Sequence, residues 1–376
     1  MNIPAGVTAR HATRHLSEAD RLMTVCNSCR YCEGLCAVFP AMEMRRSFVD
    51  GDLNYLANLC HACGACYVDC QFSPPHEFDV NVPRTLAAVR ADSYAAYVWP
   101  QCLAPVFARN AVWVALIAAL SIAGFIIGFV ARHDPSILFS GRLDAGAFYE
   151  LMPHNAMAGL FGAVFLYAIL ALAMSLRKFW MDIGEPSGTI VEPRSLWQAV
   201  KDASGLRYLD GGGVGCYGQD EKPTDRRRFY HHLTFYGFLL CFASTASATL
   251  YHYGFGLEAP YRWYDVPVLL GTAGGIGLVL GPAGLLAARK VRDPALVHTE
   301  SAGMDIAFTS MLLLTSLTGL LLLLLRTTPA MPILVAVHLG VVFALFLTMP
   351  YGKFVHGLYR FLALVRYARE RRSEAE

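Results

Sequence analysis

Six stretches of this chain are apolar for long enough to cross a lipid bilayer: residues 106–130, 155–176, 229–251, 266–288, 306–325 and 333–351. In hydrocarbon every backbone polar group must be paired within the protein, which leaves helices or closed barrels. Runs of about 20 residues fit helices, since a spanning strand needs only about 10. The chain is 55% hydrophobic and 16% charged, against about 25% charged in an average soluble domain. Buried helices of a soluble protein are the competing reading, and six such runs argue against it. The sixth run is expected to continue as an amphipathic helix from Lys353 to Arg372.

Orientation follows from Lys and Arg, which concentrate in cytoplasmic loops. Six spans put the N-terminus, residues 177–228, the loop after the fourth span and the C-terminus on one side. That side holds Arg226, Arg227, Arg228, Arg289, Lys290, Arg292, Arg366, Arg369 and Arg371 among others, while the opposite loops hold only Arg132, Arg142, Arg262 and Arg326. The expected location is a bacterial cytoplasmic membrane, with the N-terminal domain and C-terminus in the cytoplasm. Residues 1–20 are polar and read as no secretory signal. The formal net charge of +2 gives no reason to expect a nucleic-acid partner.

Eight of the eleven cysteines lie between residues 26 and 70, in two copies of one spacing: Cys26-x2-Cys29-x2-Cys32-x3-Cys36 and Cys60-x2-Cys63-x2-Cys66-x3-Cys70. This is the run that binds 4Fe–4S clusters in bacterial ferredoxins, where the fourth Cys ligates the other cluster. The expected sets are Cys26, Cys29, Cys32 and Cys70 for one cluster, and Cys60, Cys63, Cys66 and Cys36 for the second. Structural zinc and disulfides are the alternatives. Zinc sites usually separate their Cys pairs more widely, and disulfides need an oxidising compartment. One departure from the run is that Ala37 and Gln71, rather than Pro, follow the fourth cysteines. Cys102 and Cys241 read as packing residues, and Cys216 as a spare thiol.

Ionisable groups in spans are costly and usually functional. His338 and His356 are 18 residues apart, five helical turns, so a continuous helix would show both on one face. His231 and His252 are 21 residues apart, close to six turns. The third span leaves the cytoplasm and the sixth returns to it. His231 (or His232) is then level with His356, and His252 with His338. Paired histidines from facing helices are how b-type haems are held in bundles. One or two haems are therefore expected, the first at His231 or His232 with His356, the second at His252 with His338. His154 and His298 are reserve ligands. His298, Glu300 and Asp305 are alternative candidates for quinone protonation.

The expected fold class is all-α: a two-cluster ferredoxin-like helical domain followed by a six-helix transmembrane bundle. Residues 1–20 form a polar lead and 21–85 the cluster domain. Residues 86–105 are a linker, 106–358 a cytochrome b-like membrane domain, and 359–376 a basic tail. Within loop 177–228, the run Asp210-Gly211-Gly212-Gly213-Val214-Gly215 is either a mobile connector or a contact surface for a cluster or partner. It lacks the strand–turn–helix context of a nucleotide fingerprint. No catalytic dyad is visible.

The motifs Cys60-His61-Ala62-Cys63-Gly64-Ala65-Cys66, His231-His232-Leu233-Thr234-Phe235-Tyr236-Gly237 and Pro350-Tyr351-Gly352-Lys353-Phe354-Val355-His356 resemble the tricarballylate/citrate-utilisation protein B family over nearly the full length. The paired-His helices resemble, more distantly, the cytochrome b subunit of respiratory nitrate reductase. The first resemblance implies an electron-transfer subunit that reoxidises the FAD of a separate tricarballylate dehydrogenase and reduces the quinone pool. The substrate is bound on that partner, so a different flavoprotein donor fits equally. A membrane-anchored iron–sulfur redox sensor and a transporter are the rivals from other classes. The sensor has no use for paired histidines, and a transporter none for two clusters.

Overall fold

A computed structural model describes residues 11–134, 146–185 and 192–375. The first ten residues of the polar lead, Arg142 and part of loop 177–228 lie outside them. The described residues are almost wholly helical, with an N-terminal helical domain standing at one end of a six-helix bundle.

The domain is built on α1 (Arg14–Cys29), α2 (Val38–Glu43), α3 (Asp50–Leu59), α4 (Ala65–Val68) and α5 (Val82–Tyr97). Thr13 caps α1 by accepting from the Leu16 N–H, which starts the helix inside the stretch expected to be a lead. Leu16, Ala19, Leu22 and Met23 recur at helical spacing and are buried. Pro83 sits in the first turn of α5, where its missing N–H costs nothing. That helix runs on through residues expected to be linker and packs against α1 and α3.

The bundle consists of α6 (Asn110–Arg132), α8 (His154–Asp182), α10 (Arg226–Phe255), α11 (Val266–Lys290), α12 (Ala302–Leu325) and α13 (Met331–Thr348), with a short α7 (Ala147–Leu151) before α8. All six expected spans are thus long apolar helices. In packing order α10 lies on α11, α11 on α12, α12 on α13, and α13 on α6 and α8. The α10–α11 seam is set by glycine. A Cβ on Gly237 would stand 2.9 Å from the Gly274 carbonyl oxygen and the Leu278 nitrogen, so the two backbones touch without side chains between them. The rest of α10 is poorly covered, and Leu239, Phe242, Leu250 and Phe255 are exposed.

The helix after the bundle departs from expectation. The chain leaves α13 through a short turn, Met349–Tyr351, and an extended Gly352. It then starts a separate helix, α14 (Val355–Ala375). Asn110 Nδ2 donates to the Tyr351 carbonyl at 2.5 Å, and the Tyr351 and Tyr167 hydroxyls pair at 2.6 Å, pinning the break. The segment expected to be a basic tail instead packs into the domain. Glu370 accepts from Tyr55 at 2.8 Å, Arg45 at 2.6 Å and Arg366 at 2.8 Å. Arg366 also reaches Asp52, and Arg369 pairs with the buried Glu185. Loop 177–228 is folded too. It carries the end of α8, α9 (Pro193–Ser204) packed on α14, and a two-stranded pair, β1 (Cys216–Tyr217) with β2 (Pro223–Thr224). One apolar core therefore runs from Leu22, Leu56 and Leu86 in the domain through Tyr359 and Leu364 to Leu172 and Phe179 in the bundle.

Replacing Gly237 by Leu is expected to force α10 from α11 and destabilise the protein by about 1–3 kcal/mol. Thermal unfolding in detergent checks this against Gly124→Ala, where an added Cβ meets nothing within 4 Å.

Candidate cluster and haem sites

The structure gathers the eight cysteines into two groups, each drawing one member from the other's run. Cys26, Cys29, Cys32 and Cys70 line one small pocket closed by Phe39, Phe72, Val80 and Val82, and Cys66 of the second group lines it too. Cys36, Cys60, Cys63 and Cys66 form the second group, close enough that each thiolate there disfavours the next. The backbone makes this possible at two sharp points. Arg30 is left-handed after α1 and turns the chain between Cys29 and Cys32. Gly64 has φ of +94°, and a Cβ there would stand 2.8 Å from Leu296.

Burial and neighbouring thiolates push the Cys26 and Cys32 thiols up to about 12. Burial and Cys216 push Cys63 up to about 11. Thiolates so crowded need positive charge among them, which iron supplies. Among the described residues no three His, Cys, Asp or Glu side chains converge on a single-ion site. Four thiolates around the corners of a cubane are spread more widely than ligands on one ion. The donor set, eight thiols in two groups of four, fits two cubane clusters.

The glycine run folds onto the second group. A Cβ on Gly211 would stand 3.3 Å from Ala65 and 4.0 Å from Cys63 Sγ. The Tyr217 N–H donates to the Cys63 carbonyl at 2.9 Å. Cys216 is buried beside Cys63 with its thiol toward the Leu209 carbonyl. Of the two readings of this run, the structure has the contact with the cysteines.

Between the domain and the bundle lies a cavity of about 1420 Å³. His231 and His356 face each other across it, ring centres 6.2 Å apart. Two imidazoles bonded to opposite faces of one metal at about 2 Å each have centres roughly 6 Å apart. His356 Nδ1 donates to the Lys353 carbonyl at 2.5 Å, which leaves Nε2 with its lone pair, the usual arrangement of a metal-ligating histidine. Burial, with Lys353 and Arg360 adding to it, holds His356 well below the ordinary histidine range and therefore neutral. His231 Nδ1 is buried without a hydrogen-bond partner. The pair fits haem b. His232 turns away and stacks on Tyr236.

The second expected pair is not brought together. His252 stacks on His154 with ring centres 3.6 Å apart, leaving no room for an iron between them. His338 Nδ1 instead pairs with the Thr318 hydroxyl at 3.0 Å. The five-turn spacing of His338 and His356 presumed one helix, and the break at residues 349–354 removes that register. In addition α10 packs along α11, while α13 packs on α12, α6 and α8, so His252 and His338 belong to different seams. Of the quinone candidates, His298 and Asp305 line the cavity and Glu300 does not. Glu300 is 84% exposed and 3.8 Å from His298. Asp305 is held by Lys353 at 2.8 Å and Arg289 at 3.2 Å.

Sequence reasoning missed four arginines. Arg90, Arg227, Arg292 and Arg360 all donate to backbone carbonyls of residues 57–62, at 2.7–3.2 Å. They come from α5, α10, the turn after α11, and α14. No spacing marks them, because their shared target is created only by the fold.

The profile of citrate utilization protein B matches residues 105–376, and that of its Fer4-like domain matches residues 19–96. The chain is 48% identical over 367 residues to "Citrate utilization protein B" of Escherichia coli, covering 97% of this chain and 95% of that protein. The chain belongs to the citrate utilization protein B family. No solved structure matches it. Family membership brings the Fer4-like, iron–sulfur character of the domain, and with it an electron-transfer role.

If the fourth cysteines are exchanged as the grouping has them, Cys36→Ser spoils the group of Cys60, Cys63 and Cys66 and leaves that of Cys26, Cys29, Cys32 and Cys70. Bound iron and sulfide should then fall by about half after anaerobic reconstitution, while Cys102→Ser keeps both at the wild-type level.

Proposed function

We propose that this protein carries electrons from the reduced FAD of a partner dehydrogenase, through two 4Fe–4S clusters and one haem b, to a membrane quinone. The observation that carries the reading is a shared wall. His61 and Ala62, which lie between the cluster ligands Cys60 and Cys63, line the same cavity as His231 and His356. A cluster on the second group and a haem between the histidines would thus be neighbours with no intervening helix.

In this reading the first cysteine group is the entry. It lies toward the surface, where Tyr31 is 72% exposed beside it. A flavoprotein docks there and its flavin delivers electrons. The relative's printed name concerns citrate utilization, so an organic-acid dehydrogenase, oxidising citrate or tricarballylate, is the proposed partner. The six apolar helices lie in a bacterial cytoplasmic membrane with the domain on the cytoplasmic side, as the Lys and Arg distribution supports. The uncovered apolar face of α10 then meets lipid.

The quinone would enter the part of the cavity bounded by Asp305, Lys353 and His298. At about 1420 Å³ the cavity exceeds the roughly 300–1,000 Å³ of ordinary ligand pockets. Haem supplies a one-electron carrier there, held by His231 and His356. Lys353 orients His356 through its carbonyl and anchors Asp305 through its ammonium group.

A pyridine haemochrome assay on the detergent-solubilised protein is expected to give about one haem b per chain, in keeping with one fitted histidine pair. His231→Ala and His356→Ala should lose it, while His232→Ala and His338→Ala keep it. Absence of haem from protein with intact clusters would overturn the path through the bundle.

A further inference from the structure

The two cysteine groups sit in opposite electrostatic surroundings. The carbonyls of residues 57–62 run alongside Cys60, and each of the four arginines donates to one or two of them. Arg90 Nη1 reaches Ala57 at 2.8 Å and Cys60 at 2.7 Å. Arg360 reaches Cys60 at 2.8 Å and Asn58 at 3.2 Å. Arg227 reaches Ala62 at 2.8 Å and His61 at 3.0 Å, and Arg292 reaches Ala62 at 3.1 Å. Two carboxylates line this cavity, Asp220 and Asp305. Lys353 and Arg289 already hold Asp305, and among the described residues neither carboxylate pairs with the four arginines on residues 57–62. The surplus of charge around Cys60 is therefore positive.

One of these peptide groups also points at sulfur on its other side. The His61–Ala62 peptide accepts from Arg227 through its oxygen and donates through the Ala62 N–H to Cys60 Sγ at 3.3 Å. A cation on the carbonyl polarises the N–H, so the arginine acts on the sulfur through one peptide. The backbone of Val38 and Phe39 also favours the Cys36 thiolate, and that of Ala65 the Cys63 thiolate. The first group has little of this. Its Cys29 meets only a 4.0 Å contact from Gln71 Nε2, and the Asp69 carboxylate stands near Cys32.

We propose that Arg90, Arg227, Arg292 and Arg360 raise the potential of the cluster on Cys36, Cys60, Cys63 and Cys66 above that of the cluster on Cys26, Cys29, Cys32 and Cys70, and so direct electrons from the outer group toward the bundle. This rests on the reading that both groups hold 4Fe–4S clusters. The step is a transfer of one electron. With the groups bound, the partner's reduced flavin would lose two electrons one at a time, each would pass from the first cysteine group to the second and on through the histidine pair, and two of them with two protons would turn quinone into quinol. At the clusters no bond forms or breaks. The inner cluster becomes one unit more negative on reduction. Burial by itself opposes that. Buried cations favour it, and at low dielectric they act strongly, while hydrogen bonds to sulfur work in the same direction. A guanidinium keeps its charge when buried, so all four stay cationic beside the second group.

The test is an anaerobic redox titration of the full-length, cluster-loaded protein, followed by EPR, with the Cys36→Ser protein assigning the signals. The wild type should show two couples, the higher belonging to the inner cluster. Arg227→Gln should make reduction of that cluster at least tenfold less favourable, about 59 mV for one electron, and leave the lower couple in place. Arg227→Lys, which keeps the charge, should restore most of the shift. Arg292→Gln, a change in the turn after α11 where the bonds are longer, decides the matter if Arg227→Gln does not load clusters. The inference is overturned if the outer cluster holds the higher couple, if the glutamine variants move neither couple, or if they move both equally. Wild-type protein that binds no iron–sulfur cluster would instead sink the functional reading itself.

Discussion

The carboxyl end of α3 is the hinge of this molecule. A helix ends with carbonyls that have no partner within it and with the negative pole of its dipole. Here the chain continues past that end in extended form, through Cys60, His61 and Ala62, and adds more unpaired carbonyls. Left bare beside a cavity they would cost free energy comparable to several lost hydrogen bonds. Four guanidinium groups meet them, and each comes from a different element. One set of contacts therefore terminates α3, shapes the second cysteine run and fastens domain to bundle. An arginine is suited to this because its planar fork serves two acceptors at once and keeps its charge when buried.

That arrangement sets the second cysteine run and the histidine pair against one cavity. The cysteines are fixed by short helices and left-handed turns in the domain. The histidines are fixed by α10 and by the first turn of α14. The arginine contacts join the two sets beside the apolar core that runs from the domain to the bundle. The lower wall of the domain is also the roof of the large cavity, and His61, held neutral by burial and by Arg360 and Arg227, stands on the boundary.

Much of this is legible in the chain itself. The apolar runs become six helices because length and hydropathy suffice when the backbone must pair with itself. The cysteine grouping is legible because three-residue steps wrap one centre and the longer step reaches away. The histidine pairing is only half legible. His231 and His356 meet, but His252 does not meet the partner that spacing assigns it, because periodicity holds only within one unbroken helix. Tyr351 and Asn110, which stabilise the break, are 241 residues apart, and no local pattern reports such a contact. The fold of the glycine run over Cys63 is hidden for a similar reason: glycine permits many backbones, and the cysteine run selects one.

The ion network around Glu370 ties α14 to Tyr55, Arg45 and Asp52, more than 300 positions earlier. A ribosome delivers those early residues first, and α14 emerges only after every helix of the bundle. The domain's core thus stays open along one side throughout synthesis of the bundle. Its closure is a late, long-range event that waits for the last helix.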